Sequence, residues 1–316
     1  MSNLTKEMDN IDEIDAELLE KIADMLDKPV GAINIRKNGG CAARSSTEHI
    51  KIDSRTDGHE GIDVRVIDGT KGETCHIPVI MTGDNMNDAV YNDFYIGENC
   101  NVTIVAGCGI HNSHCGTSQH DGIHTFHIGK NSHVHYMEKH YGEGDGNGTN
   151  VMNPQTIVYL DEGASIQMDT AQIGGIDSTN RYTRFECGDR AEALITERLL
   201  THGSQFANSD MDIVLNGVDS KGRVISRSVA KGTSKQVFHP TVVGNNACFG
   251  HVQCDSIIMD EAQIQSIPAV TATDTNAQLI HEAAIGKIAG DQLLKLMTLG
   301  LTEEEAEDRI LKGFLA

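Results

Sequence analysis

The chain has 316 residues, of which 39% are hydrophobic and 4% aromatic, and its formal net charge is −21. This length suffices for one large domain with appendages or for two domains. A surface this acidic repels phosphate backbones and anionic membranes. We therefore expect that the protein binds neither nucleic acid nor membranes.

Eight cysteines at irregular spacings argue against the disulfide framework of a secreted protein. The first 25 residues are acidic and polar, without the basic start and apolar core of a signal peptide. No apolar run approaches the ~20 residues that a membrane helix needs. We therefore expect a cytoplasmic protein whose reduced thiols are available as ligands or nucleophiles.

The first predicted element is an amphipathic helix from Ile11 to Leu26, which Pro29 and Gly31 end. It forms an N-terminal helical segment, residues 1–30. Residues 31–90 contain short alternating stretches such as "EHIKIDSR" and "GIDVRVIDG", which are typical of strands joined by turns.

A repeated unit then dominates the sequence. "IGENCNVTI" begins at Ile96, "IGKNSHVHY" at Ile128 and "LDEGASIQM" at Leu160, at two intervals of 32 residues. Looser copies follow, and Val102, Val134 and Ile166 occupy equivalent positions. Such self-similarity, with short strands and tight corners, predicts a parallel β-helix core over residues 91–275, with a β-sandwich as the alternative.

The last segment, residues 276–316, is predicted to be helical. "DQLLKLMTLG" and "TEEEAEDRILKGFLA" have helical periodicity, and Thr302 with Glu305 forms a capping box. The apolar residues of these two helices either cover the last rung or bind a partner.

A first candidate metal site is C-x2-H-x2-H-C, formed by Cys108, His111, His114 and Cys115. Cysteine and histidine are suitable ligands for zinc or iron, but the spacing matches no standard zinc finger. Small polar residues at the corners of rungs are the alternative explanation.

A second candidate is "HVHYMEKH", which faintly resembles the metal motif of cupins. If Val134 points inward, strand alternation directs His133 and His135 outward, with Glu138 and His140 in the opposite phase. All four side chains converge only if the strand bends.

The third candidate lies near the C-terminus. His281 and Glu282 follow Cys254 by 27 and 28 residues, about one repeat, so a thiolate, an imidazole and a carboxylate are expected on adjacent rungs. A thiolate binds iron well, and the other two are more exchangeable ligands. A buried cysteine and a capping glutamate are the alternative.

"QCDSIIM", "SIP", "AQLIHEAAIGKI", "DQLLKLMTLGLTEEEAEDRILKGFL" and "SRSVAKGTSKQ" resemble the SufB/SufD family of iron–sulfur cluster assembly proteins. The similarity covers roughly residues 129–316. It implies a mainly β fold, a right-handed parallel β-helix core with a helical C-terminal part. The short chain resembles the compact SufB-like form of the minimal SUF-like system, which pairs with one SufC-like ABC-type ATPase.

The resemblance also assigns residues. Cys254 matches the SufB cysteine that builds the nascent cluster, and Glu282 matches the glutamate of the H-E-A motif, with His281 beside it; the spacing differs by about one residue. SufB has a second, upstream cysteine that receives sulfur. It has no clean match here, since Cys187 in "RFECGDR" is near but shifted, and the His-rich stretch 108–140 has no counterpart that we can place.

The expected function is therefore that of a scaffold, not an enzyme. It assembles an iron–sulfur cluster, with the four-iron form favoured, and passes it to apo-proteins. The resemblance implies a homodimer, with the SufC-like ATPase bound at residues 276–316. The alternatives are a metal-dependent β-helix or cupin-like enzyme, and a SufD-like structural subunit without its own cluster.

Overall fold

The structure is a computed structural model that describes residues 4–8, 10–83, 85–113, 115–144 and 147–316. Its helices are α1 (Leu4–Glu7), α2 (Glu13–Ala23), α3 (Gly290–Thr298) and α4 (Glu303–Phe314). Its strands are β1 (Ala32–Lys37), β2 (Gly40–Ser45), β3 (Ile50–Ser54), β4 (Gly61–Val66), β5 (Lys71–Met81), β6 (Asn87–Ile96), β7 (Asn101–His111), β8 (Thr117–Ile128), β9 (His133–Glu143), β10 (Thr149–Met152), β11 (Gln155–Leu160), β12 (Ser165–Gln172), β13 (Ser178–Cys187), β14 (Glu192–Thr201), β15 (Phe206–Leu215), β16 (Ser220–Ala230), β17 (Lys235–Gly244), β18 (Cys248–Ile258), β19 (Gln263–Ser266), β20 (Ala269–Ala272) and β21 (Gln278–Gly286).

Two long sheets face each other across a closed interior, which we call the lumen. Sheet A has the order β2-β1-β5-β7-β9-β12-β14-β16-β18-β21. Sheet B runs β3-β4-β6-β8, then through β10 and β11 to β13-β15-β17, and ends with β19 and β20. The chain alternates between the sheets, and the strand pairs after β4 are parallel. The predicted fold class, mainly β with a parallel β-helix core and helices at both ends, is confirmed.

The sequence repeat reflects the strand register. Val102 pairs with Val134, and Val134 pairs with Ile166, so the three equivalent positions stack in one column of sheet A. All three side chains are buried in the lumen. The period of 32 residues is thus the length of one complete rung.

The polar turn of each repeat forms a corner between the sheets. Asn99, Asn131 and Gly163 have φ angles of 55°, 54° and 68° at the same position of successive repeats. Asparagine and glycine tolerate this left-handed conformation, which explains the Gly/Asn-rich signature.

The N-terminal helix packs on the outer face of sheet A. This helix, α2, starts at Glu13 with an Asp12–Asp15 capping box and ends at Ala23, where Asp24 forms the C-cap in a left-handed conformation. It is therefore shorter than the predicted helix. Leu18, Leu19 and Ile22 are fully buried, and burial of each side chain contributes roughly 1.5–3 kcal/mol.

The β-helix extends beyond residues 91–275 at both ends. Parallel pairing already joins β4 to β6 and β5 to β7, and β21 is the last strand of sheet A. The early rung departs from the repeat because a bulge between Lys71 and Glu73 shifts the register. At the other end, a strand precedes the two helices of the predicted helical segment. No helix in the described part of the chain is long and apolar enough to span a bilayer.

Candidate functional site

Cys254 and His281 meet inside the last rungs of the β-helix. Cys254 lies on β18 beside Val252 and faces the lumen, and the next strand, β21, pairs His281 with Val252. The Cys254 Sγ and the His281 Nε2 are 3.6 Å apart. The predicted pairing of a thiol and an imidazole on adjacent rungs is therefore present in the structure.

This separation suits two ligands of a single metal ion. With bonds of ~2.3 Å to sulfur and ~2.05 Å to nitrogen, as at zinc, tetrahedral geometry separates the two ligand atoms by about 3.6 Å. Burial lowers the pKa of His281, helped by nearby His251, so the imidazole is favoured in its neutral, ligating form. Burial raises the pKa of the Cys254 thiol to about 12, and metal binding would have to displace that proton.

Glu282 points away from this pair. Its alternating position on β21 puts it on the outer face of sheet A, with an exposed side chain whose Oε2 lies 3.6 Å from His251 Nε2. One copy of the chain therefore brings Cys254 and His281 together but leaves Glu282 on the opposite face of the sheet.

The C-x2-H-x2-H-C stretch is dispersed. Cys108 faces the lumen, His111 lies on the outer side, where its Nδ1 is 3.2 Å from Glu143, and Cys115 is exposed. His114 lies outside the described residues. Because strand alternation and the β7–β8 turn separate these side chains, the three that are described do not form the predicted chelate.

Cys108 instead joins a buried cluster in the lumen. His120 approaches its thiol from β8 in sheet B, and His140 is its neighbour on β9. Asp88 lies 3.3 Å from the His120 Nδ1, and Arg36 holds Asp88 through a bidentate ion pair. We call these five residues the Cys108 cluster.

The electrostatics of this cluster favour a thiolate. Burial alone would raise the pKa of Cys108, but His120 and His140 lower it to about 7. Burial opposes the charge on His120 as well, yet Cys108 and Asp88 raise the pKa of this imidazole to about 10. Cys108 and His120 thus interact electrostatically as the thiolate–imidazolium pairs of activated cysteine nucleophiles do, although neither ring nitrogen of His120 makes a hydrogen bond within the described part of the chain.

A charged network continues from this cluster along the lumen. Arg181 reaches across from sheet B, donates to Glu138 Oε2 at 2.7 Å and lies 3.0 Å from His140 Nδ1. Tyr136 donates to Glu138 Oε1 at 3.0 Å and in turn contacts His124. Burial raises the pKa of Glu138, but His140 and Arg181 together hold it well below its ordinary value. Buried charges persist only when they are paired in this way.

The four candidate ligands of the cupin-like stretch divide between the two faces of the sheet, as the predicted alternation requires. These are His133, His135, Glu138 and His140. Val134, Glu138 and His140 point into the lumen, whereas His133 and His135 lie on the outer side. His135 contacts Asp169 there at 2.8 Å. The strand does not bend to bring the four together. Among the described residues, no three His, Cys, Asp or Glu side chains form a group that could hold a metal ion.

Polar side chains connect the Cys108 cluster to Cys254. On neighbouring strands of sheet A, one lumen column contains Glu138, Thr170, Glu197, Ser226 and Cys254 in that order. Five strand spacings of ~4.8 Å separate the strands of Cys108 and Cys254, a distance of about 24 Å.

Two small cavities accompany the distal half of this column. The first, of ≈ 10 Å³, lies between Arg181 and Glu197, and the second, of ≈ 20 Å³, lies between Glu197 and Cys254. Both include Ser209 in their walls, and this serine donates to Glu197 at 2.9 Å. Each cavity has room for about one water molecule, so the interior is polar but narrow.

Cys187 differs from Cys108 in its surroundings. It is fully buried among the apolar side chains of the lumen, and burial raises its pKa to about 12. A thiol held protonated in this way is a poor nucleophile. Its position does not favour it as a sulfur acceptor.

The C-terminal helices divide their apolar residues between the β-helix and the surface. Leu293, Ile310 and Phe314 pack against a cluster around Val229. Arg227 anchors the end of the chain by donating to the backbone carbonyl of Ala316 at 3.1 Å. The apolar side chains left exposed on this segment are Leu294, Met297 and Leu299. They form a smaller surface than the sequence periodicity indicated, and we call it the α3 patch.

Comparison with known proteins agrees with this architecture. The family model "SUF system FeS cluster assembly, SufBD core domain" matches residues 80–314. An iron–sulfur cluster assembly SufBD family protein of Archaeoglobus fulgidus is 26% identical over 262 residues, which cover 82% of this chain and 69% of the relative. A family protein of Methanocaldococcus jannaschii is 29% identical and covers 78% of both chains. Another, of Pyrococcus horikoshii, is 44% identical over 66 residues, 21% of this chain and 20% of its own.

Proposed function

Because the chain belongs to the SufBD family of iron–sulfur cluster assembly proteins, we propose that it is a scaffold, which builds a cluster at Cys254 and His281 and transfers it to apo-proteins. The observation that carries this proposal is the 3.6 Å contact between Cys254 Sγ and His281 Nε2 at the end of the lumen. One thiolate and one neutral imidazole hold iron less firmly than four thiolates, which suits a protein that must release its cargo.

Two ligands from one chain leave a cluster incomplete, so we propose that a homodimer completes the site. The last strand of sheet A and the short last strands of sheet B leave sheet edges at this end of the β-helix, with Ile267, Val270, Ile280 and Ile285 exposed. Pairing of two copies would cover these edges and bring two Cys254–His281 pairs together. A stable monomer of 34.2 kDa in light scattering would contradict this arrangement.

We assign the sulfur-accepting role to Cys108. Its thiolate would attack the outer sulfur of a persulfide donor, so that the donor's S–S bond breaks and the donor leaves as a thiol after taking up one proton. The Cys108 persulfide contains the transferred sulfur, and no net oxidation occurs. The lowered pKa of Cys108 and the polar column toward Cys254 support this role.

We propose the α3 patch as the docking surface of the SufC-like ATPase. Leu294 and Leu299 are 61% and 76% exposed, and a contiguous apolar patch of this kind often marks an interaction surface. The double change Leu294→Glu and Met297→Glu should abolish co-purification with the ATPase while leaving the packed face of the helix intact. The matched control is Ile14→Glu, an exposed apolar position on the N-terminal helix. If the wild type, the double variant and the Ile14→Glu control all co-purified equal amounts of the ATPase, this assignment would be wrong.

Anaerobic reconstitution with iron and sulfide tests the scaffold proposal. We expect the Cys254→Ala variant to lose nearly all of the absorbance and the iron and sulfide counts of the cluster. Cys187→Ala is the control, because it removes a lumen thiol of similarly raised pKa without touching the site. Iron and sulfide counts on the wild-type protein also decide whether the favoured four-iron form is correct.

Free sulfide bypasses the sulfur acceptor, so the double variant Cys108→Ala/Cys115→Ala should keep most of the cluster in this assay. It should lose sulfur uptake from a persulfide donor, measured as sulfane sulfur bound per chain. If the double variant lost the reconstituted cluster and Cys254→Ala kept it, cluster assembly would lie at Cys108 and our site assignment would be wrong.

A further inference from the structure

A cavity of ≈ 280 Å³ lies at the N-terminal end of the lumen. Its walls come from the β1–β2 hairpin, the β3–β4 connection and the lumen faces of β5 and β6. Val79 and Asn92 form its inner wall, and the next rung places Cys108 beside Val79 and His124 beside Asn92. The cavity therefore ends one rung before Cys108, and Arg36 belongs both to its wall and to the Cys108 cluster.

Arginine side chains are the main charged groups that line this cavity. Arg36, Arg44 and Arg55 line it together with a single acidic residue, Glu60, whose side chain is 77% exposed. The chain as a whole has a formal net charge of −21. In a chain this acidic, an arginine that no carboxylate offsets gives the cavity a local attraction for a small anion.

Arg44 differs from the other two arginines in its partners. Arg36 is neutralised by Asp88, and Arg55 forms ion pairs with Asp57 and Asp93. The Arg44 Nε donates to Asn34 Oδ1 at 2.8 Å and its Nη1 donates to Ser54 Oγ at 2.7 Å, both neutral acceptors. Within the described part of the chain, Arg44 has no carboxylate partner at ion-pair distance.

We propose that this cavity binds a small oxyanion, a carboxylate or a phosphate, with Arg44 as the principal ligand. Asn34 and Ser54 fix the guanidinium, so little side-chain freedom remains to be lost on binding. The volume suits a metabolite near the lower limit of ordinary ligand pockets. The proposal does not depend on the sulfur-accepting role of Cys108, since it follows from the partners of Arg44 and the shape of the cavity.

Calorimetric titration at low ionic strength tests the proposal with two probes, pyrophosphate and citrate. We expect saturable 1:1 binding of at least one probe, and the tighter one identifies the ligand as a phosphate or a carboxylate. Arg44→Gln should weaken that binding at least tenfold, because the amide retains hydrogen bonding without the charge. The affinity of Arg44→Lys for the probe should lie between those of the wild type and Arg44→Gln. Arg65→Gln is the matched control, because Arg65 stacks on Tyr95 on the outer face of sheet B.

Thiol protection localises the binding on the same molecule. The exposed Cys41 lines the cavity, whereas the exposed Cys115 lies outside its walls. The bound probe should slow labelling of Cys41 by a neutral maleimide at least fivefold and leave labelling of Cys115 unchanged, as read by peptide mass spectrometry. Absence of binding by both probes would overturn the proposal. Binding that Arg44→Gln leaves unchanged, or that does not protect Cys41, would overturn it equally.

Discussion

Replacing His120 with asparagine should strongly reduce the reactivity of Cys108 at neutral pH. With a pKa of about 7, half of the wild-type thiol is ionised at pH 7. Even a return to the ordinary value of 9.0 would leave only about 1% as thiolate at that pH, a loss of roughly 50-fold in alkylation rate. Burial acts in the same direction, because it raises the pKa of the buried Cys187 to about 12. His140 also lowers the pKa of Cys108 and remains in the variant, where it opposes the effect of burial, so we expect a loss of roughly 50-fold.

The assay is the rate of Cys108 alkylation by iodoacetamide from pH 5 to 10, followed by mass spectrometry of its peptide. The wild-type rate should rise through a midpoint near pH 7 as the thiolate forms, and the rate of the His120→Asn variant should still be rising above pH 9. His111→Asn is the matched control, because His111 lies on the outer side of β7, the strand of Cys108, and contacts Glu143. Superimposable pH profiles for the wild type and His120→Asn would refute the thiolate–imidazolium pair.

Two further predictions concern stability, measured by denaturant unfolding. Arg181→Met should destabilise the protein by about 3–5 kcal/mol, because it leaves the buried Glu138 carboxylate without its guanidinium partner. The control, Arg184→Met, removes a partly exposed arginine and should cost under about 1 kcal/mol. Gly107→Ala should cost about 1–3 kcal/mol, since a Cβ there would lie 2.5 Å from a backbone oxygen of the N-terminal helix; Gly313→Ala, where a Cβ meets nothing within 4 Å, should be neutral or slightly stabilising. Equal effects within either pair of variants would contradict the corresponding contact.

The fold was predictable because successive rungs in the first part of the β-helix core have the same length, which makes the sequence repeat visible. Val102, Val134 and Ile166 are each 32 residues apart and stack in one column. The next rung brings Ile166 beside Ala193, an interval of 27 residues, since the turns shorten while the strand pairing continues. The boundaries were harder to predict. A bulge near Gly72 disrupts the first full rung, and the final strand is followed directly by helices.

Sequence spacing located one part of the candidate site and missed another for a physical reason. Cys254 and His281 lie on adjacent strands of one sheet, so their separation of one rung is visible in the sequence. Cys108 and His120 lie on opposite sheets and meet across the lumen, where no fixed spacing applies. The available signal was alternation: Cys108 shares its phase with Val102, and His120 shares its phase with Ile128, both of which point inward.

The charged part of the lumen is better explained by function than by stability. Rungs around Phe94 and Phe126 show that apolar side chains can fill this interior, with ring centroids stacked 4.3 Å apart. Replacing a buried ion pair by well-packed apolar residues is often neutral or stabilising, so the Arg181–Glu138 pair is weak evidence for a stabilising role. What the network does supply is a fixed electrostatic environment beside Cys108, with a polar column leading on to Cys254. Because a buried ion pair is weak evidence for stability, we infer that this arrangement serves the chemistry of the two thiols.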